Sequence, residues 1–155
     1  MNQRRIRMTF VATGESVTLD LLDQEAPQTC EYVWSLLPLE LKPLHGQYSG
    51  AEVFVLLEGG QQVPRENMTQ LPLPGELLYF FETGGNSITG PRTIGEICFV
   101  YGRGVVLRGH EGIPTHAALF ARVPGDWKRD WTAFAQACKR VRWEGPSPLR
   151  IERAE

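Results

Sequence analysis

A chain of 155 residues fits one domain, expected to span 1–155, and is long enough to bury a core without disulfides or a structural metal. Hydrophobic residues make up 42% and charged residues 22%, the net charge is −2, and no long run of like charge occurs. That composition belongs to an ordinary globular domain and argues against nucleic acid or an anionic membrane surface as a partner. Cys30, Cys98 and Cys138 are odd in number and each lies in an apolar pattern, so they read as free buried thiols of a cytoplasmic protein. The charged start of the chain is not followed by an apolar segment, so no signal peptide is expected. No window of about 20 apolar residues predicts a transmembrane helix.

Residues 5–13 (RIRMTFVAT) and 16–22 (SVTLDLL) alternate polar and apolar side chains, the period of a strand with one wet face. Gly14-Glu15 between them predicts a hairpin. Pro27 then opens a helix to about Leu37, with Cys30, Val33, Trp34 and Leu37 on one face, ended by Pro38. Residues 39–50 (LELKPLHGQYSG) read as loop, 51–57 (AEVFVLL) as a strand broken only by Glu52, and 59–69 as irregular. Residues 76–81 (ELLYFF) have the aromatic content of a central strand. The Gly-rich stretch 82–95 predicts a long functional or mobile loop. Strands follow at 96–101, 105–108 and 117–123. Asp126 is the expected N-cap of a last helix, in which Trp127, Trp131, Phe134, Cys138 and Val141 share a face. A final short strand is expected at 149–153 (LRIER). If that helix plugs the fold, Trp131→Ala removes a large piece of core.

Seven or eight short strands with only two helices exclude a doubly wound parallel sheet. They favour a mostly β fold in which closure removes the sheet edges. The ordered series Leu21-Leu22-Asp23, Ala26-Pro27-Gln28-Thr29, Trp34 with Leu36-Leu37-Pro38, Gly50-Ala51-Glu52-Val53, Glu66-Asn67, Pro74-Gly75-Glu76-Leu77-Leu78-Tyr79 and Tyr101-Gly102 resembles the cyclophilin-like proteins of bacteria and archaea, small barrels grouped as domains of unknown function. The resemblance spans residues 6–123. It implies a closed eight-stranded β-barrel of cyclophilin type with two capping helices. Prolyl isomerases of that fold carry a Phe-His-Arg signature on an early strand. The matching region here, 50–57 (GAEVFVLL), has Glu52 and no arginine, and no Gln-Gly-Asp segment follows, so the resemblance implies no prolyl isomerase activity. Members of the cyclophilin-like group tend to place an Asn-His pair before the last barrel strand, where this chain has Thr115-His116.

The candidate side chains are few. His116, at the start of a strand after a Gly- and Pro-containing loop, is a general base or polar anchor, or else a histidine bonded to a nearby carbonyl. Glu52 must line a pocket, find a partner or face water. Asn67 offers an amide to a ligand or serves a turn. His45, Tyr48 and Tyr101 are placed around the same cleft, and Arg108 either binds a carboxylate or makes a surface ion pair. His45, His110, His116 and Glu52 are metal-ligand types, but no His-x-His or His-x3-His spacing occurs, and no metal or cofactor is expected. Cys98 lies mid-strand and is read as buried and inert.

The reading is a small polar or peptide-like ligand held in a barrel-side cleft by His45, Tyr48, Asn67 and Tyr101, in a protein that is compatible with homo-oligomerisation. The alternative is a small-molecule hydrolase or isomerase with Glu52 and His116 as an acid–base pair. That alternative requires the two side chains in one cavity, within hydrogen-bond reach or one water apart.

Overall fold

The computed structural model describes residues 2–82, 92–109 and 112–154. Among these, ten strands form one antiparallel sheet, accompanied by two helices. Strands β1 (Arg5–Phe10) and β2 (Ser16–Leu21) make the opening hairpin, turned by residues 11–15 with Gly14 at φ +88°. Helix α1 (Pro27–Leu36) follows, with Pro27 in its first turn, where an amide hydrogen has no helical partner. Its buried Cys30 donates its thiol hydrogen to the Phe120 carbonyl at 3.2 Å, and burial pushes that thiol up to about 12.

Residues 39–50, expected as loop, contain two short strands, β3 (Leu39–Leu41) and β4 (Leu44–His45). The remaining strands are β5 (Glu52–Glu58), β6 (Met68–Thr69), β7 (Glu76–Glu82), β8 (Ile94–Val100), β9 (Ala117–Arg122) and β10 (Leu149–Ala154). The strand order is β3-β10-β1-β2-β9-β7-β8-β5-β4, with β6 paired to β9. Strands β3 and β4 therefore sit at opposite ends of the sheet, yet only Lys42 and Pro43 separate them along the chain. Three residue steps reach about 10 Å at most, so the sheet has to curl until its two edges approach one another.

The expected closed eight-stranded barrel needs correcting here. The sheet has ten strands, and no ladder joins β3 to β4 among the described residues. Both edge strands are very short, and Pro43 at the seam has no amide hydrogen to donate.

One face of the curled sheet carries the main core. Ile6, Met8 and Phe10 of β1, Val53 and Val55 of β5, Leu77 and Tyr79 of β7, and Ile97 and Phe99 of β8 alternate onto it. Helix α2 (Thr132–Glu144) covers this core with Phe134, Cys138 and Val141. The Phe134 ring lies 5.3 Å from Phe10 and 5.4 Å from Phe99. The helix begins at Thr132, later than its expected start at Asp126. Residues 126–130 form their own turn: the Asp126 carboxylate accepts from the Lys128 N–H at 2.7 Å, and Asp130 accepts from the Asp126 N–H at 2.7 Å. Trp131 is consequently the N-cap residue, and Trp127 lies off the helix, half-buried against the core.

The opposite face of β7, β8 and β9 carries a second, smaller core of Leu78, Cys98, Val100, Ala117 and Leu119. Val105 and Leu107 complete it. The strand expected at 105–108 is replaced by an extended strap whose one isolated bridge among the described residues pairs Arg108 with Pro114. The strap is held by single bonds instead, from the Val106 N–H to the Ser49 carbonyl at 3.2 Å and from the Leu107 N–H to the Gln70 carbonyl at 2.8 Å. This strap and the 44–49 segment wall in part of the outer face of the sheet. Part of the Gly-rich stretch, 83–91, and His110 lie outside the described residues.

Candidate functional site

The outer face of β5, β8 and β7 combines apolar side chains with three glutamates, Glu52, Glu82 and Glu96, that line one pocket. Strand alternation puts Glu52, Phe54 and Leu56 of β5 on this face, together with Ile94, Glu96 and Cys98 of β8 and Phe80 and Glu82 of β7. In register, Glu96 stands between Leu56 on one side and Phe80 on the other. Leu44, Tyr48, Ser49, Arg108 and Gly109 rise around these residues and enclose a pocket of about 240 Å³ that Glu52, Glu82 and Glu96 all line.

Glu52 is 5% exposed. The Cys98 thiol donates to its carboxyl, and the Ser49 hydroxyl, which donates to the Arg108 carbonyl at 3.3 Å, also favours its ionised form. Burial raises its pKa above the ordinary range, and those two groups oppose the rise. Gly46 packs directly against it, and a Cβ there would lie 2.5 Å from the Glu52 Oε1. Glu96 is half-buried, and the structure gives its carboxyl no hydrogen-bonding partner among the described residues. Burial, and then the neighbouring Glu52 and Glu82, push its pKa up to about 8. At neutral pH Glu96 is largely protonated, able to donate a hydrogen bond or to give up a proton, and burial shifts Glu52 in the same direction. Arg92 at the rim bonds Glu58 at 3.2 Å.

Of the expected residues, Glu52, Tyr48 and Arg108 meet in this pocket. The others are elsewhere. His45 Nε2 pairs with the Tyr101 hydroxyl at 2.7 Å, and the two rings pack edge to face with centroids 5.6 Å apart. Leu44, the neighbour of His45 on β4, faces the pocket, while His45 itself is absent from the lining. Burial lowers the His45 pKa and raises that of Tyr101.

Asn67 is tied to the fold. Its amide donates to the Leu119 carbonyl at 2.8 Å, and its backbone sits at φ +46°, a left-handed conformation that Asn tolerates better than most residues. Asn67→Ala removes the bond and strains the backbone, so it should cost about 1–3 kcal/mol by chemical denaturation. Asn67→Gly should recover the backbone part of that loss.

His116 lines a separate cleft beside Thr29, Arg65 and Tyr79. Strands β8 and β7 intervene between β5, which carries Glu52, and β9, at whose start His116 sits. The two residues line different pockets, so the geometry does not make them an acid–base pair.

The sequence model of the family described as "Protein of unknown function (DUF3830)" matches residues 8–152. The chain belongs to this family. No curated protein matches it. Among solved structures, the structure of McbB in complex with tryptophan is similar, with a TM-score of 0.65 and 18% identity over 95% of this chain and 44% of that one. The chain thus spans less than half the length of McbB. The solution structure of the hypothetical protein AF2241 from Archaeoglobus fulgidus is similar with a TM-score of 0.54 and 16% identity, over 98% of this chain and 95% of that one. At these identities both share the fold.

For this DUF3830 member, the main residue missed from sequence is Glu96. Its signal was present: it breaks the apolar run IGEICFV as Glu52 breaks AEVFVLL. Two charged residues, each interrupting a strand otherwise built for burial, mark one polar spot on a sheet face when the strands pair. Pairing of β5 with β8 was not legible before the fold was known. Among the described residues no group of three or more His, Cys, Asp and Glu could hold a metal, and no helix is long and apolar enough to cross a membrane.

Proposed function

We propose that this chain binds a small amphipathic molecule carrying a protonated amine, with the amine over Glu52 and Glu96 and the apolar body against Phe54, Leu56 and Phe80. One observation carries this reading: two carboxyls with raised pKa values line one apolar-walled pocket. A cation entering it restores the charge partner that burial denies these groups, and the ordered aromatic walls bury its body. This narrows the expected small polar or peptide-like ligand to one with a basic end.

On this reading the curled, unclosed sheet is a cyclophilin-type fold without prolyl isomerase chemistry, since β5 carries Glu52 and no arginine. The protein is a cytoplasmic binding module, free of nucleic acid and membrane. The enzyme reading survives in a changed form. Glu96, poised near neutrality beside Glu52, takes the acid–base role that His116 cannot share with Glu52.

The test is thermal denaturation with phenethylamine as the probe and tryptophan, the molecule bound to McbB, as a second amine with an aromatic body. Stabilisation of about 2.7 kcal/mol is expected at 100 times the Kd. It should vanish in the Glu52→Gln/Glu96→Gln double variant. Gly46→Ala, which pushes the Glu52 carboxyl aside, should weaken binding about tenfold, the loss of roughly one charge-assisted bond. Equal stabilisation of wild type and the double variant would remove the glutamates from the site.

A further inference from the structure

We propose that the cleft lined by His116 is a second binding site, for a small anion with an apolar body such as an aryl carboxylate. The cleft encloses about 260 Å³ and shares only Phe80 with the glutamate pocket. Its charge character is opposite: Arg65 and His116 line it, and among the described residues no acidic one does. Neither side chain has an ion pair or hydrogen bond among the described residues.

The decisive feature is Thr29, in the first turn of α1. It is fully buried, it lines the cleft, and its hydroxyl has no hydrogen-bonding partner among the described residues. The Thr29 backbone N–H is already taken by the Glu66 carboxylate at 2.6 Å, so the helix terminus itself is satisfied and Glu66 is engaged there. What remains is a buried donor without an acceptor. A buried hydroxyl of this kind costs free energy unless it donates to an acceptor. An anionic oxygen would accept from this hydroxyl while Arg65 and His116 balance its charge. Met68, Phe81 and Tyr79 offer the apolar wall for the rest of the ligand.

The test is an NMR titration of the full chain with benzoate, following backbone amides. Saturable shifts are expected at Thr29, Arg65, Met68 and Ala118. Thr29→Val, which removes only a hydroxyl that has no partner, should keep a dispersed spectrum and bind benzoate about tenfold more weakly, the loss of one hydrogen bond to a charged group. Arg65→Gln should do the same. Inorganic phosphate, lacking the apolar body, should bind about tenfold more weakly than benzoate by the loss of burial equivalent to two methylene groups. The assignment is overturned if no amide shifts saturate, if the shifts centre on Glu52 and Glu96, or if both variants bind benzoate as wild type does. Equal binding of phosphate and benzoate would overturn the apolar wall.

Discussion

Trp131→Ala should cost about 3–5 kcal/mol of folding stability. Trp131 is 6% exposed and caps the start of α2, where its ring meets Phe99 edge to face with centroids 5.5 Å apart. A Cβ on Gly75 would lie 3.2 Å from the indole, so backbone closes over the ring from the other side. Truncation leaves a cavity between a helix start and two strands, which cannot collapse independently. The indole N–H contributes nothing to this, for it is buried without a partner among the described residues. Trp131→Phe should therefore lose far less, about 1 kcal/mol, because the smaller ring also removes an unsatisfied donor. Guanidinium denaturation of both variants checks the pair. A loss within about 0.5 kcal/mol for alanine would make the start of α2 peripheral to the core.

The second large effect is a stability that falls as pH rises. Glu96 has a folded pKa of about 8 against an ordinary value of 4.5. Between those values the folded chain holds a proton that the unfolded chain has released. The Glu96 contribution to stability is therefore fully present below about pH 4.5, declines through the interval and is lost above pH 8. The decline should amount to roughly 2–4 kcal/mol, with Glu52 acting in the same direction. Glu96→Gln should flatten most of the slope. It should match wild type near pH 4.5 and exceed it at pH 9, and the Glu52 contribution should persist as a shallower residual fall. Parallel curves for the two proteins would mean that Glu96 is well solvated.

Much of the fold was legible because periodicity reports which face of a strand is buried. The alternation of Ile6, Met8 and Phe10, and of Val17, Leu19 and Leu21, reached the structure unchanged. So did the stripe of Phe134, Cys138 and Val141. Two of the departures along the chain, at 39–50 and at 105–108, share a cause. Strands β3 and β4 are too short to show a period, and they exist because β10 and β5 supply their hydrogen bonds. Residues 105–108 alternate like a strand, yet their alternation serves a strap that buries Val105 and Leu107 without a ladder. The site was half legible. A lone carboxylate in an apolar strand identified Glu52, but histidines drew attention that a structural bond explains for His45 and a different cleft explains for His116. Local sequence cannot report which interrupted strands become neighbours.

Isothermal titration of phenethylamine in buffers of different ionisation enthalpy, from pH 6 to pH 9, tests the glutamate pocket most directly. An ammonium group bound over protonated carboxyls has to displace a proton. Proton release should approach one per site near pH 7, and affinity should climb until about pH 8, where Glu96 ionises without help. Binding with no proton release, or with an affinity flat across that range, would contradict a cation seated on Glu52 and Glu96.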